Sequence, residues 1–133
     1  MSFVLGSKSL AKLNGVHPDL IRVVKAAIKI TEVDFTVLEG LRTLTRQKQL
    51  LAAGATRTLN SRHLTGHAVD LGALVGGVVR WDWPLYHKIA KAVKAAAGAE
   101  GVPVEWGGDW RFKDGPHFQL PFAIYPRRAD GDG

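Results

Sequence analysis

The chain has 133 residues, 46% hydrophobic and 23% charged, which suits one compact domain with a core of its own. It contains no cysteine, which excludes disulfides, cysteine-type zinc sites and thiol nucleophiles, so a metal site here must use His, Asp or Glu. The net charge is +6, from 18 Lys+Arg against 12 Asp+Glu spread along the chain, and this favours an anionic surface as partner over specific nucleic-acid readout.

The opening MSFVLGSKSLAKL has no continuous apolar run and no cleavage pattern, so no signal peptide is expected. No segment approaches the roughly 18–20 apolar residues of a membrane span, and no membrane insertion is expected. HPDLIRVVKAAIKI, residues 17–30, reads as the first helix. Pro18 suits its first turn, with Leu20, Val24, Ala27 and Ile28 on one face and Arg22, Lys25 and Lys29 on another. DFTVLE, residues 34–39, reads as a strand with Phe35, Val37 and Glu39 alternating against Thr36 and Leu38. LTRQKQLLAA, residues 44–53, reads as a short helix closed by Gly54.

AVDLGAL and VVRW read as two strands around a Val75-Gly76-Gly77 turn. Asp82 is the expected N-cap of a helix from 83 to about 98, with an apolar stripe of Tyr86, Ile89, Ala90, Val93 and Ala97 and a solvated stripe of Lys88, Lys91 and Lys94. VEWGG and HFQLP complete the chain as short strands. Strands and helices do not alternate as βαβ units, so the expected fold is α+β: a small antiparallel sheet flanked by about three helices. One domain over residues 1–125 is expected, followed by a flexible tail over 126–133.

The stretch SRHLTGHAVDL, residues 61–71, carries His63, His67 and Asp70. In a strand AVDL, Asp70 projects away from Val69 and Leu71; in HFQL, His117 and Gln119 project away from Phe118 and Leu120. Were these strands neighbours, Asp70 and His117 would share a polar face, and the loop carrying His63, turned at Gly66, could bring a third donor. Two imidazole nitrogens and a carboxylate form a catalytic zinc (Zn2+) set with a fourth position for water, whose pKa zinc lowers to about 7. Asp114, three residues before His117 across a Gly-Pro turn, is placed to move that water's proton; an Asp before Gly-Pro also stabilises turns. Arg42, after the first strand, is placed to hold a substrate carboxylate or an oxyanion, or else to pair with Glu39.

Other residues have two readings. His67, four residues after His63, lacks the adjacent Glu of H-E-x-x-H and follows Gly66, so it is read as lining the cleft and not as a ligand. Trp106, Asp109 and Trp110 either line a substrate groove or pack the sheet, and Ser61 either contacts substrate or caps its loop. His17 and His87 are given no site role.

SRHLTGHAVD, of the form S-x-H-x-x-G-x-A-x-D, together with Asp114-Gly-Pro-His117, resembles the D-alanyl-D-alanine carboxypeptidase and L-alanyl-D-glutamate endopeptidase family of zinc peptidases. That family belongs with lysostaphin-type enzymes and the hedgehog signalling domain. MSFVLGSKSLAKLNGVHPDLIRVVKAAI, DFTVLEGLRT and WGGDW extend the resemblance to phage endolysins over nearly the whole chain, to about residue 120. The resemblance implies a hedgehog/DD-peptidase-like fold, His63, Asp70 and His117 as zinc ligands, Asp114 as catalytic base, and Arg42 as a holder of substrate or transition state. It implies a monomeric peptidoglycan hydrolase that cleaves the stem peptide between L-alanine and D-glutamate. Such an enzyme waits in the cytoplasm of an infected host until released to the periplasm or wall, where the basic surface supplies affinity. Family carboxypeptidases usually carry Glu at the position of Asp114, which tilts the reading toward the endopeptidase. A D-alanyl-D-alanine carboxypeptidase and a non-catalytic cell-wall or polyanion-binding module stand as alternatives.

Overall fold

The computed structural model describes residues 2–56 and 61–126. The expected tail therefore lies, apart from residue 126, outside the described residues. Among those described, four helices are arranged with one five-stranded antiparallel sheet: α1 (Ser7–Lys12), α2 (Pro18–Ile30), β1 (Asp34–Glu39), α3 (Leu44–Ala52), β2 (Ala68–Val75), β3 (Val78–Arg80), α4 (Trp83–Glu100), β4 (Glu105–Trp106) and β5 (His117–Gln119).

The eight-residue β2 is the axis of the sheet. β1 pairs along one side of it; β5 pairs with its first residues and β3 with its last, and β4 continues the sheet beyond β5. The β2–β3 hairpin turns at Gly76 and Gly77, both with positive φ (58° and 80°), the conformation a tight two-residue hairpin loop demands.

Alternation divides the two faces. Val69, Leu71 and Ala73 of β2, Phe35 and Val37 of β1, and Phe118 of β5 are buried against α2 and α4. Those helices contribute Leu20, Val23, Val24, Ala27 and Ile28, and Tyr86, Ile89, Ala90, Val93, Ala96 and Ala97. Burying a side chain such as Phe118 contributes about 1.5–3 kcal/mol, and this is the residue that anchors the strand carrying His117. The other face holds the polar residues.

The structure departs from the sequence reading at three points. First, α1 is a fourth helix. With one buried residue, Ser9, it has no apolar stripe to announce it. Ser9 Oγ contacts Thr36 Oγ1 (2.9 Å) and accepts the Val37 N–H (2.9 Å), so α1 is fixed to the outer edge of the sheet by polar bonds.

Second, Asp82 occupies the N-cap of α4 without capping it. Its carboxylate accepts from Arg80 instead (3.0 Å). Third, simple alternation would put Glu39 on the core face with Val37. A β-bulge intervenes: Val37 faces Leu71 but Glu39 faces Asp70, so the extra residue Leu38 turns Glu39 to the polar face.

Candidate metal and catalytic site

The site grows from the register of β2 and β5. Asp70 lies opposite His117, and cross-strand partners project to the same side of a sheet. His63 arrives on a 3-10 turn, Arg62–Thr65, in which Ser61 Oγ accepts the His63 N–H (3.1 Å). Gly66 ends that turn at φ 77°, and a Cβ there would lie 2.2 Å from the Gly15 carbonyl oxygen, so only glycine lets this loop seat against the neighbouring segment. His63, Asp70 and His117 each offer a ligand atom, and these atoms lie within 4.8 Å of one another.

The partners behind the two rings fix which nitrogen carries hydrogen. His63 Nδ1 lies 2.8 Å from the Gly40 carbonyl, which only accepts, so Nδ1 donates. Gln119 donates its amide N–H to Glu105 (3.1 Å), which leaves its oxygen to accept from His117 Nε2 (2.8 Å). Neutral rings therefore turn bare lone pairs, at His63 Nε2 and His117 Nδ1, onto Asp70 Oδ1 at 3.2 and 3.1 Å. Three electron-rich atoms at that spacing repel unless the rings are protonated or a cation lies among them.

Without a metal, the rings can donate to Asp70 only as imidazolium. Burial disfavours the Asp70 carboxylate, yet the contacts from His117 and His63 outweigh it and hold the carboxyl well below the usual range. Burial likewise works against His117 as a cation, but Asp70 raises its pKa. A divalent cation satisfies the same three atoms with both rings neutral. Two zinc–ligand bonds of about 2.0–2.1 Å at a tetrahedral angle span about 3.3 Å, close to the spacings seen. The donor set fits a metal, with the partners of both rings already in place.

These three residues sit in a cleft of about 500 Å³, also lined by Arg42, Ser61, Trp110 and Asp114. Asp114 is solvent-exposed as a residue, but partial desolvation of its carboxyl, helped by the nearby Asp70 charge, raises its pKa. Its position depends on Gly107, whose carbonyl accepts the Asp114 N–H (2.9 Å). Arg42 donates from Nε (2.8 Å) and Nη2 to Glu39 and from Nη1 to Gln47 (2.7 Å); Nη2 lies 4.0 Å from Asp70. The guanidinium is held on two sides and keeps its charge: burial works against the cation, but Glu39 outweighs it. Glu39 in turn is kept ionised chiefly by its bonds to Arg42.

Of the residues singled out in the sequence, the structure brings Arg42, Ser61, His63, Asp70, Trp110, Asp114 and His117 to one cleft. Trp110 places its ring 5.2 Å from that of His117. His67, Trp106 and Asp109 are elsewhere. His67 is buried, bonds Thr65 Oγ1 (2.7 Å) and packs its ring on His17 (5.5 Å), because its place just before β2 turns it toward α2. Trp106 alternates inward, stacking on Phe118 and donating to the Gly115 carbonyl (2.6 Å). Asp109 is exposed and pairs with Lys94 (2.7 Å). His17 caps α2, its Nδ1 accepting from the Asp19 N–H (3.0 Å).

The sequence reading placed Gln119 on the polar face with His117 but gave it no role, and it missed Gln47 and Phe122. Gln47 is fully buried in α3, where an apolar pattern gives no hint of a polar side chain turned inward.

Similarity to known proteins runs over nearly the whole chain. Residues 1–120 match the family described as phage L-alanyl-D-glutamate peptidase. The L-alanyl-D-glutamate peptidase of Escherichia phage T5 is 30% identical over 129 residues, covering 94% of this chain and 94% of that protein. A protein of the same name from a Listeria phage is 32% identical over 131 residues, covering 96% of this chain and 46% of the longer relative. The crystal structure of the Serratia marcescens L-Ala D-Glu endopeptidase ChiX superposes with a TM-score of 0.88 at 52% identity, covering 92% of this chain and 94% of that one. On this evidence the chain belongs to the phage L-alanyl-D-glutamate peptidase family.

Proposed function

We propose that this protein is a zinc-dependent peptidoglycan endopeptidase that hydrolyses the stem-peptide amide between L-alanine and D-glutamate. The observation that carries the reading is the convergence of two imidazole lone pairs on one carboxylate, beside Asp114, in a chain of this family. His63, Asp70 and His117 would hold the zinc. A zinc held there would supply Lewis acidity to the scissile carbonyl and would acidify the attacking water.

The chain's own residues supply the rest. Asp114 takes the proton of the attacking water as the new C–O bond forms, and returns it to the D-glutamate nitrogen as the C–N bond breaks. A raised pKa suits a carboxylate to both halves of that transfer. Three N–H groups of Arg42 are engaged by Glu39 and Gln47, which leaves two of the five on a guanidinium to meet a substrate carboxylate or the developing oxyanion. Trp110 supplies a flat apolar wall next to His117. The enzyme acts as a monomer, and its net charge of +6 draws it to the anionic wall.

Digestion of purified peptidoglycan, followed by mass spectrometry, tests the specificity. The expected products carry a new D-glutamate N-terminus. Release of D-alanine with the L-alanyl-D-glutamate bond intact would instead identify a carboxypeptidase. Equal turnover by the metal-free protein would dismiss the metal.

A further inference from the structure

Gln119 and Glu105 do no chemistry in the reaction above, yet they form a chain that ends on a ligand. They are cross-strand partners in the β4–β5 register, so their side chains share one face. Glu105 Oε1 accepts from Gln119 Nε2 at 3.1 Å, and Gln119 Oε1 accepts from His117 Nε2 at 2.8 Å. Gln119 is 8% exposed, while Glu105 is on the surface. A buried amide can present either its oxygen or its NH2 group to a neighbour. Presenting oxygen puts the ring proton on His117 Nε2 and leaves Nδ1 bare for a metal. Presenting NH2 would reverse the tautomer and block the ligand.

We propose that Glu105 and Gln119 are positioning residues: the exposed carboxylate sets the orientation of the Gln119 amide, and the amide sets the ligating tautomer of His117. The inference rests on the zinc reading of the site. It accounts for a polar pair spanning β4 and β5 where the sheet needs none, and it gives an exposed surface residue control over a ligand atom on the next strand.

Zinc affinity, measured by competition with a chromophoric chelator, provides the test, with thermal melting of the metal-free proteins alongside. Removing an outer partner of a metal-bound histidine weakens metal binding about 10–100-fold, and that is the loss expected for Gln119→Met, with the metal-free melting temperature little changed. Glu105→Ala, a surface change that leaves the fold intact, should weaken zinc on the order of threefold, because the acceptor remains but its orientation is no longer imposed. The double exchange Gln119→Glu with Glu105→Gln restores both hydrogen bonds with the amide and carboxylate traded, and should recover affinity to within a few-fold of the original. A cobalt-loaded sample should regain its original absorption spectrum in the exchanged protein. Unchanged zinc affinity in both Gln119→Met and Glu105→Ala would overturn the proposal, as would an exchanged pair no better than Gln119→Met. If the unaltered protein takes up no zinc, the metal reading itself fails, a result distinct from equal affinities among the variants.

Discussion

Gly107→Ala tests whether the placement of Asp114 governs turnover. A Cβ at Gly107 would lie 2.3 Å from the Asp114 carbonyl oxygen and 3.0 Å from Asp114 Cβ. Ordinary contact begins near 3.4 Å, so one backbone segment must retreat by about 1 Å. No rotamer relieves this, because the nearest obstacle is main chain. The segments are also tied together, since the Gly107 carbonyl accepts from the N–H groups of Asp114 (2.9 Å) and Trp110 (3.2 Å). A misplacement of about 1 Å costs on the order of 10²-fold in rate, and overpacking of this kind costs about 1–3 kcal/mol of stability. The expected outcome is a kcat near one-hundredth of the original, a melting temperature several degrees lower, and a full complement of zinc. Chromatography and mass spectrometry of a defined muropeptide give the rate, and elemental analysis gives the metal. Gly98→Ala is the control: beyond its chain neighbours and its own helix backbone no atom lies within 4 Å of a Cβ there, and it sits inside α4, where alanine is favoured. A folded, zinc-loaded Gly107→Ala enzyme with kcat within threefold of the original would refute the argument that Asp114 must be held where it is.

Other outcomes are expected. Asp114→Asn should lower kcat by about 10²–10⁴-fold while zinc content stays the same; undiminished turnover would take the proton transfer away from this residue. Arg42→Lys replaces a fork held by Glu39 and Gln47 with a single ammonium, and kcat/KM on the muropeptide should fall about 10-fold or more. His67 makes stability depend on pH. Burial, aided by the charge of Arg62 and by His17, lowers its pKa from 6.5 to about 4. Neutral His67 is thus favoured in the folded state, and the stability it confers is complete above pH 6.5 and lost as pH falls toward 4, by up to about 3 kcal/mol. Chemical denaturation of His67→Gln between pH 7 and 4 should show a shallower decline than the original; parallel curves would exclude His67 as the source.

What could be read from the sequence follows from periodicity. Val69 and Leu71 against Asp70, and Phe118 and Leu120 against His117, have a period of two, so their faces are fixed once the strands pair. The amphipathic α2 and α4 are equally plain. Features that break the period escaped. The bulge at Leu38 sends Glu39 to the cleft although its parity with Val37 points inward. Trp106, left between groove and sheet packing, follows parity into the core; a two-residue strand is too short to decide it. His67 precedes β2 directly, and only the direction of the incoming loop decides which side it takes. Gln47 and Arg62 are buried polar residues whose partners lie in other elements, Arg62 donating to the carbonyls of Leu120 and Tyr125; no local pattern encodes such a partner.

The glycine turn between β2 and β3 has a consequence for how the proposed metal ligands and base are distributed. It is an exposed tip where the chain could be opened with little loss of packing. His63 and Asp70 precede it; Asp114 and His117 follow it. A chain divided between Gly76 and Gly77 would yield two pieces, each holding too few donors to retain a metal, and each inert. Hydrolysis would return only when the pieces meet and their strands interleave around β2. The hairpin is thus a natural seam for a two-component lytic agent, in which cutting the wall requires two separately supplied halves to be present at once.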